Sequence, residues 1–297
     1  MTMSNELLVA AVQMNSGEVK ADNYAKAGTL VRRAAADGAR LVVLPEYFNC
    51  LGDRRTMLAE AEASDGPTAE WLAALARELK ITLAGGTFCE RSPDATRAFN
   101  TSLTFDAMGR CIATYRKLHL FDVDLPGRLT YCESSWLAPG QEVVVADFDF
   151  TENDRNDSQN ENRKNPNGGP SAPVGSLRSA LAICYDLRFP ELFRLFADRG
   201  AELLVVPAAF TKTTGRDHWE LLCRARALEN QCFLVASNQT GKHAALETYG
   251  HSLVVDPWGV VLARADEEEG IVMATISRAR LEEVRAQLPA LKHRRRF

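Results

Sequence analysis

Three polar side chains stand where apolar, strand-like runs end in this chain of 297 residues. Glu46 closes Leu41-Val42-Val43-Leu44-Pro45, Lys117 closes the run 111–116, and Cys184 closes Leu181-Ala182-Ile183. A carboxylate at the mouth of a buried strand is desolvated, which raises its proton affinity toward neutral pH and fits it for general-base work. A cysteine at a strand-to-helix turn exposes its sulfur beside backbone N–H groups, the arrangement a nucleophile and an oxyanion hole require. Each residue alone has a plainer reading: a strand-end Glu caps a helix or pairs with Arg, a Lys beside a loop is solvated, and a buried Cys is a small hydrophobe. Together they fill three linked roles, because a thiol nucleophile needs a base for its proton and a positive or hydrogen-bonding group for the developing oxyanion.

The segments around these residues, Leu44-Pro45-Glu46, Tyr115-Arg116-Lys117-Leu118-His119 and Cys184-Tyr185-Asp186-Leu187-Arg188-Phe189-Pro190-Glu191, resemble the Glu, Lys and Cys motifs of the nitrilase, or carbon-nitrogen hydrolase, superfamily. Phe121-Asp122-Val123-Asp124-Leu125-Pro126-Gly127, Glu133-Ser134 with Pro139-Gly140, Thr214-Gly215-Arg216-Asp217-His218-Trp219-Glu220, Tyr249-Gly250-His251-Ser252 and Val255-Asp256-Pro257-Trp258-Gly259 resemble its Nit branch, in the family's order and over nearly the whole chain. The resemblance implies an α/β fold, a four-layer αββα sandwich, homodimers or larger homo-oligomers, and no metal or organic cofactor. It implies a small-molecule amide substrate, a Glu46-Lys117-Cys184 triad, and a second active-site carboxylate at Glu133. Lys117 and the Tyr185 backbone N–H would form the oxyanion hole. The implied reaction converts a small ω-carboxamide to carboxylate and ammonia through a thioester on Cys184. Deaminated glutathione is the expected substrate, with 2-oxoglutaramate, other carboxamides or carbamoyl compounds, and nitriles as alternatives. Of other classes, a silent scaffold would have lost one of the three residues, and a redox sensor using Cys184 would leave Glu46 and Lys117 unexplained.

Arg188 either clamps a substrate carboxylate or pairs with Glu191 or Asp186 to fix the turn. Phe210 and Thr211 join it as candidate substrate contacts. His218 and Trp219, read as the start of a helix, brace the site, and Tyr249, His251 and Trp258 pack near strand ends. The stretch Tyr47-Phe48-Asn49-Cys50 departs from the family pattern as a variable segment clear of the triad.

The elements that position these groups alternate between two periods. Apolar runs rich in Val, Ile and Leu occur at 7–12, 40–44, 81–88, 102–105, 143–148, 179–184, 203–206 and 253–255, and helical periods at 24–36, 68–80, 191–198 and 218–230. Mixed elements of these lengths predict an α/β layered fold with helices on sheet faces. A weak internal repeat relates Gly38-Ala39-Arg40-Leu41-Val42-Val43-Leu44-Pro45 to Gly200-Ala201-Glu202-Leu203-Leu204-Val205-Val206-Pro207, and Phe105-Asp106-Ala107-Met108-Gly109 to Val255-Asp256-Pro257-Trp258-Gly259. Two such half-units predict one domain, a sandwich of helix, sheet, sheet and helix with two sheets packed together, which the resemblance implies is a carbon-nitrogen hydrolase domain over 1–297. The Asn-, Asp-, Gly- and Pro-rich stretch 151–172 reads as a flexible insertion, and 290–297 as a basic tail, solvated or in surface ion pairs.

Composition excludes other classes. Thirty-five Lys and Arg against 39 Asp and Glu give a formal charge of −4, with no global positive field for nucleic acid or membrane. Seven cysteines without a CxxC pair argue against a disulfide framework and a zinc ribbon, and the five histidines lack metal-ligand spacing. Without a long apolar span or signal-like N-terminus, the expected location is the cytoplasm.

Overall fold

The computed structural model describes residues 6–127, 129–150, 175–244 and 246–295. The predicted insertion at 151–172 lies outside them. In chain order the first half carries β1 (Glu6–Gln13), α1 (Lys20–Ala36), β2 (Leu41–Val43), α2 (Arg54–Ala59), α3 (Pro67–Leu79), β3 (Thr82–Ala84), β4 (Phe88–Arg91), β5 (Ala98–Phe105), β6 (Cys111–Arg116), β7 (Asp122–Leu125) and β8 (Leu129–Cys132). The second carries β9 (Val145–Asp149), β10 (Ser176–Leu181), α4 (Pro190–Asp198), β11 (Leu203–Ala208), α5 (Lys212–Asn230), β12 (Phe233–Asn238), β13 (Thr240–Lys242), β14 (Glu247–Tyr249), β15 (Leu253–Val255), β16 (Val261–Arg264), β17 (Gly270–Ser277) and α6 (Arg278–Gln287).

Two large sheets face one another. In the first, neighbouring strands run β17-β1-β2-β3-β5, with β4 and β6 both pairing β5; in the second they run β16-β15-β12-β11-β10-β9. Alternation along β1 sorts its side chains between two layers. Leu7, Val9 and Ala11 join the core that includes β10, β11 and β12, whereas Ala10 and Val12 join Ala27, Val31 and Ala34 of α1 and Leu72, Leu75 and Ala76 of α3. On the far side Phe193 and Phe196 of α4 and Trp219, Cys223 and Ala227 of α5 close the same core over the second sheet. The layers are therefore helix, sheet, sheet and helix, the αββα sandwich.

The internal repeat is carried by the topology. The order β17-β1-β2-β3-β5-β6 corresponds to β9-β10-β11-β12-β15-β16, with the same parallel and antiparallel sense at every step. α1 and α4 precede β2 and β11, and α3 and α5 follow them. Both hairpin turns use one device: Asp106 Oδ1 accepts from the N–H groups of Met108 and Arg110, and Asp256 Oδ1 from those of Trp258 and Val260.

Several elements differ from the sequence reading. The run 81–88 is two strands, split because Gly86 takes φ +60° and lies where a Cβ would stand 2.2 Å from the Pro45 carbonyl. α5 begins at Lys212, so His218 and Trp219 lie within it rather than at its start. Central β12 went unread because its short apolar run follows directly on the helical period of α5. Trp258 is 44% exposed instead of packed. In the basic tail the expected surface ion pair is present, Arg294 pairing with Asp198 of α4. Among the described residues no helix is long and apolar enough to cross a membrane.

Candidate active site

Glu46, Lys117 and Cys184 follow strands of the two large sheets, and Glu133 follows β8 of the separate two-stranded β7–β8 sheet. Glu46 leaves β2 and is pinned on both sides of its peptide, its N–H reaching the Ala208 carbonyl at the end of β11 (3.3 Å) and its own carbonyl accepting from Gln239 Nε2 (2.9 Å). Lys117 leaves β6 with its N–H on the Asn100 carbonyl (2.9 Å) and its carbonyl accepting from Gly140 (2.8 Å). Glu133 follows β8 and opens a short 3-10 turn. Cys184 opens another, Cys184–Arg188, in the left-handed region at φ +46°. A non-glycine residue in that region is uncommon and persists where its surroundings over-determine it.

Here the over-determining group is Asp186, fully buried two residues on. Its carboxylate accepts from Ile183 N (2.8 Å), Tyr115 Oη (2.6 Å) and His119 N (3.1 Å), and contacts His119 Nδ1 at 2.7 Å. The residues on both sides of the cysteine are thus tied to the end of β6. The His119 ring is stacked on Phe189 at 3.6 Å between centroids. Arg226, buried on α5, supports the turn from behind by donating to the Leu187 carbonyl (2.9 Å).

Lys117 Nζ lies between two carboxylates, 3.0 Å from Glu46 Oε1 and 2.9 and 3.1 Å from the oxygens of Glu133. The three groups are 1–3% exposed. Glu46 is completed by Asn100 Nδ2 (2.7 Å) and the Ala209 N–H (2.7 Å), and Glu133 by Tyr47 Oη (3.2 Å) and the Phe121 N–H (2.6 Å). Burial disfavours the lysine's charge, but Glu133 and Glu46 overcome it and hold the ammonium well above its ordinary range. Burial raises Glu133 against the pull of Lys117. Burial and the nearby Glu46 carboxylate push the Cys184 thiol well up, opposed by Lys117 and the Ala209 N–H.

These directions bear on the state of the Cys184 sulfur. One ammonium already faces two buried carboxylates, and a standing thiolate would add a second uncompensated negative charge in a low-dielectric interior. The resting sulfur is therefore a thiol. Among the described residues no group of three or more His, Cys, Asp or Glu side chains is placed to hold a metal ion.

The other predicted residues divide. Arg188 pairs with neither Asp186 nor Glu191; its guanidinium lies over the rings of Phe210 (5.2 Å) and Tyr185 (5.7 Å), with Nη1 3.3 Å from His218 Nδ1. Phe210 is thus brought to Arg188, whereas Thr211 turns its hydroxyl to Thr214 (3.0 Å) at the start of α5. Trp219 braces Phe210 and donates to the His251 carbonyl (2.8 Å). Sequence reasoning missed Asn100, Tyr115 and the positioning role of Asp186, and set Tyr47 aside although its hydroxyl reaches Glu133. A polar alternation at Asn100, Ser102 and Thr104 was the available signal for the first.

The family model for carbon-nitrogen hydrolases matches residues 8–286. A deaminated glutathione amidase of Synechocystis is 40% identical over 289 residues, 97% of each chain. The human omega-amidase NIT2 is 38% identical over 288 residues, 97% of this chain and 94% of that one. Among solved structures, Saccharomyces cerevisiae Nit3, of branch 10 of the nitrilase superfamily, superposes with a TM-score of 0.80 at 32% identity, covering 98% of this chain and 97% of that one. The C. elegans NitFhit protein gives the same TM-score at 36% identity, with 98% of this chain matching 65% of the longer one. The chain belongs to the carbon-nitrogen hydrolase family.

Proposed function

We propose that this hydrolase cleaves a small ω-amide through a thioester on Cys184, with Glu46, Lys117 and Glu133 as its partners. The observation that carries the reading is the Lys117 ammonium, held between two buried carboxylates beside a cysteine in a left-handed turn. Glu46 takes the proton of Cys184 as sulfur attacks the carbonyl carbon. The oxyanion is held by Lys117 and the Tyr185 N–H, in the first turn of the 3-10 segment, where backbone N–H groups lack intrahelical partners. Glu46 returns the proton to the departing amine, leaving the thioester. It then takes a proton from water, whose oxygen attacks the acyl carbon, and the sulfur leaves as the re-protonated thiol. One carboxylate serves alternately as base and acid.

Arg188 supports the substrate class. Among the described residues it has no carboxylate partner, yet its guanidinium is stacked in place beside the turn that carries Cys184. A planar fork so placed fits a substrate carboxylate. Deaminated glutathione, named for the Synechocystis relative, satisfies this; 2-oxoglutaramate, an ω-amide matched to the human relative's name, satisfies it as the second reading. The expected ammonia applies only to the second, since the amide nitrogen of deaminated glutathione belongs to cysteinylglycine. The test is 2-oxoglutarate release, the acid product common to both, with Cys184→Ala as blank. Turnover of neither by the wild type, or equal turnover by the variant, refutes the reading.

The same proposal includes a homodimer and a cytoplasmic location. Leu221 and Leu228 of α5 and Trp258 and Val260 of the β15–β16 turn are exposed, and Gly259 of that turn lies against Leu228, giving an apolar strip for a second copy. A sedimentation mass of one chain would rule the dimer out. Seven free thiols fit a reducing compartment.

A further inference from the structure

Tyr47 follows the proposed base directly, and its backbone takes φ +56°, with its N–H on Thr87 Oγ1 (2.8 Å). Its ring is buried among Leu51, Met57, Cys89, Trp136 and Leu137, and a phenol so placed needs a partner for its hydroxyl. That partner is Glu133 Oε1, at 3.2 Å.

The two carboxylates carry matched complements of donors. Each has a contact to Lys117, one backbone N–H, from Ala209 or Phe121, and one neutral side-chain donor, Asn100 for Glu46 and Tyr47 for Glu133. With a single ammonium between them, a proton on one favours ionisation of the other. The proposed reaction needs that proton to come and go on Glu46, while Glu133 stays anionic and anchors Lys117. Asn100 alone would favour the charge on Glu46 and leave the proton to Glu133, and the Tyr47 donor offsets that pull. Besides Tyr47, the groups that face Glu133 are Lys117, Glu46, Tyr131 and Cys89.

We propose that Tyr47 is a positioning residue whose hydroxyl keeps Glu133 ionised, so that Lys117 stays anchored and the working proton is confined to Glu46. The inference rests on the amidase reading, and one of its two measurements is independent of substrate. Tyr47→Phe keeps the ring and removes the donor. In chain labelled with 13C at glutamate carboxyls, the Glu133 signal is assigned by its loss in Glu133→Gln and titrated in wild type and variant. The donor favours the ionised form, so its loss raises the titration midpoint, by about one pH unit for a hydrogen bond to a charged group. The acid limb of kcat for 2-oxoglutarate release then moves up by a similar amount, with KM within about twofold. A midpoint unchanged in Tyr47→Phe overturns the proposal. So does a moved midpoint with an unmoved acid limb, because the charge of Glu133 would then not govern turnover. A wild type that cleaves neither amide refutes the amidase reading, and the carboxyl titration still decides whether the hydroxyl sets the charge of Glu133.

Discussion

Replacing Lys117 by methionine separates the electrostatic account from a merely structural one. Methionine matches the chain's length and leaves the sulfur, both carboxylates and their neutral donors in place. What disappears is the cation 2.9–3.1 Å from Glu133 and 3.0 Å from Glu46. Removing one partner of a buried ion pair costs about 3–5 kcal/mol, because the remaining charge stays desolvated. The variant escapes part of this cost by binding protons, and that makes the deficit depend on pH. A carboxyl group whose folded pKa is raised binds its proton more tightly than in the unfolded chain. Its stability contribution is complete below the unfolded value of about 4.3 and is lost as pH rises through the raised folded value, by about 1.4 kcal/mol per pH unit for each proton involved. Glu133 is already raised in the wild type, so the quantity to follow is the difference between the two chains. Urea unfolding at pH 5, 6 and 7 should show a deficit of about 3–5 kcal/mol at pH 7 that narrows by up to about 3 kcal/mol at pH 5. Amide hydrolysis should fall by about 10²-fold or more at every pH, since an oxyanion donor is lost as well. A deficit below about 1 kcal/mol at pH 7, or one independent of pH, would show that Lys117 does not neutralise buried carboxylates, and the charge argument would fail.

Asp186→Asn places an amide N–H against backbone N–H groups in either orientation; the free energy of unfolding should fall by about 2–3 kcal/mol, lowering the melting temperature by about 3–5 °C, and turnover should drop at least tenfold as the left-handed turn at Cys184 loosens. Wild-type melting with intact turnover would show that the turn holds itself. Arg188→Gln should raise KM for 2-oxoglutaramate about 10- to 100-fold with a smaller change in kcat, and leave any turnover of the neutral amide propionamide unaltered. Equal losses on both amides would mean that Arg188 supports the turn instead of reading a carboxylate.

The proposed nucleophile, base and lysine were legible because each terminates an apolar run, and strand termini are where a layered α/β fold exposes side chains. The groups that hold them were not. Asn100 is 54 positions from Glu46, and Tyr115 is 71 from Asp186, so both contacts depend on strand register between distant segments. Asn100, Ser102 and Thr104 recur at every second position of β5, a pattern that in a sheet with one wet face reads as solvent-facing. In a four-layer sandwich both faces of the sheet are covered, and the polar row turns inward, where its first member meets Glu46. Tyr47 was obscured for a related reason: a residue next to a strand-end carboxylate has no assigned direction until its backbone is known, and φ +56° is invisible to pattern reading.

The repeat explains why the site forms where it does. Matching Gly38-Ala39-Arg40-Leu41-Val42-Val43-Leu44-Pro45 to Gly200-Ala201-Glu202-Leu203-Leu204-Val205-Val206-Pro207 makes Ala208 the counterpart of Glu46 and Ala209 that of Tyr47. Ala208 supplies the carbonyl that accepts the Glu46 N–H, and Ala209 donates its N–H to Glu46 Oε2. Equivalent strand ends of the two halves thus meet across the pseudo-symmetry, one contributing a carboxylate and the other only backbone. Side chains on both would crowd the junction, whereas two alanines leave main-chain groups that orient the base at fixed distance without a competing charge. The strand pairing of each half sets the height of its strand end, so the geometry of Glu46 follows from the sandwich itself. Tyr47 exploits the same junction, since its counterpart carries no side chain beyond Cβ and the phenol turns back within its own half to Glu133.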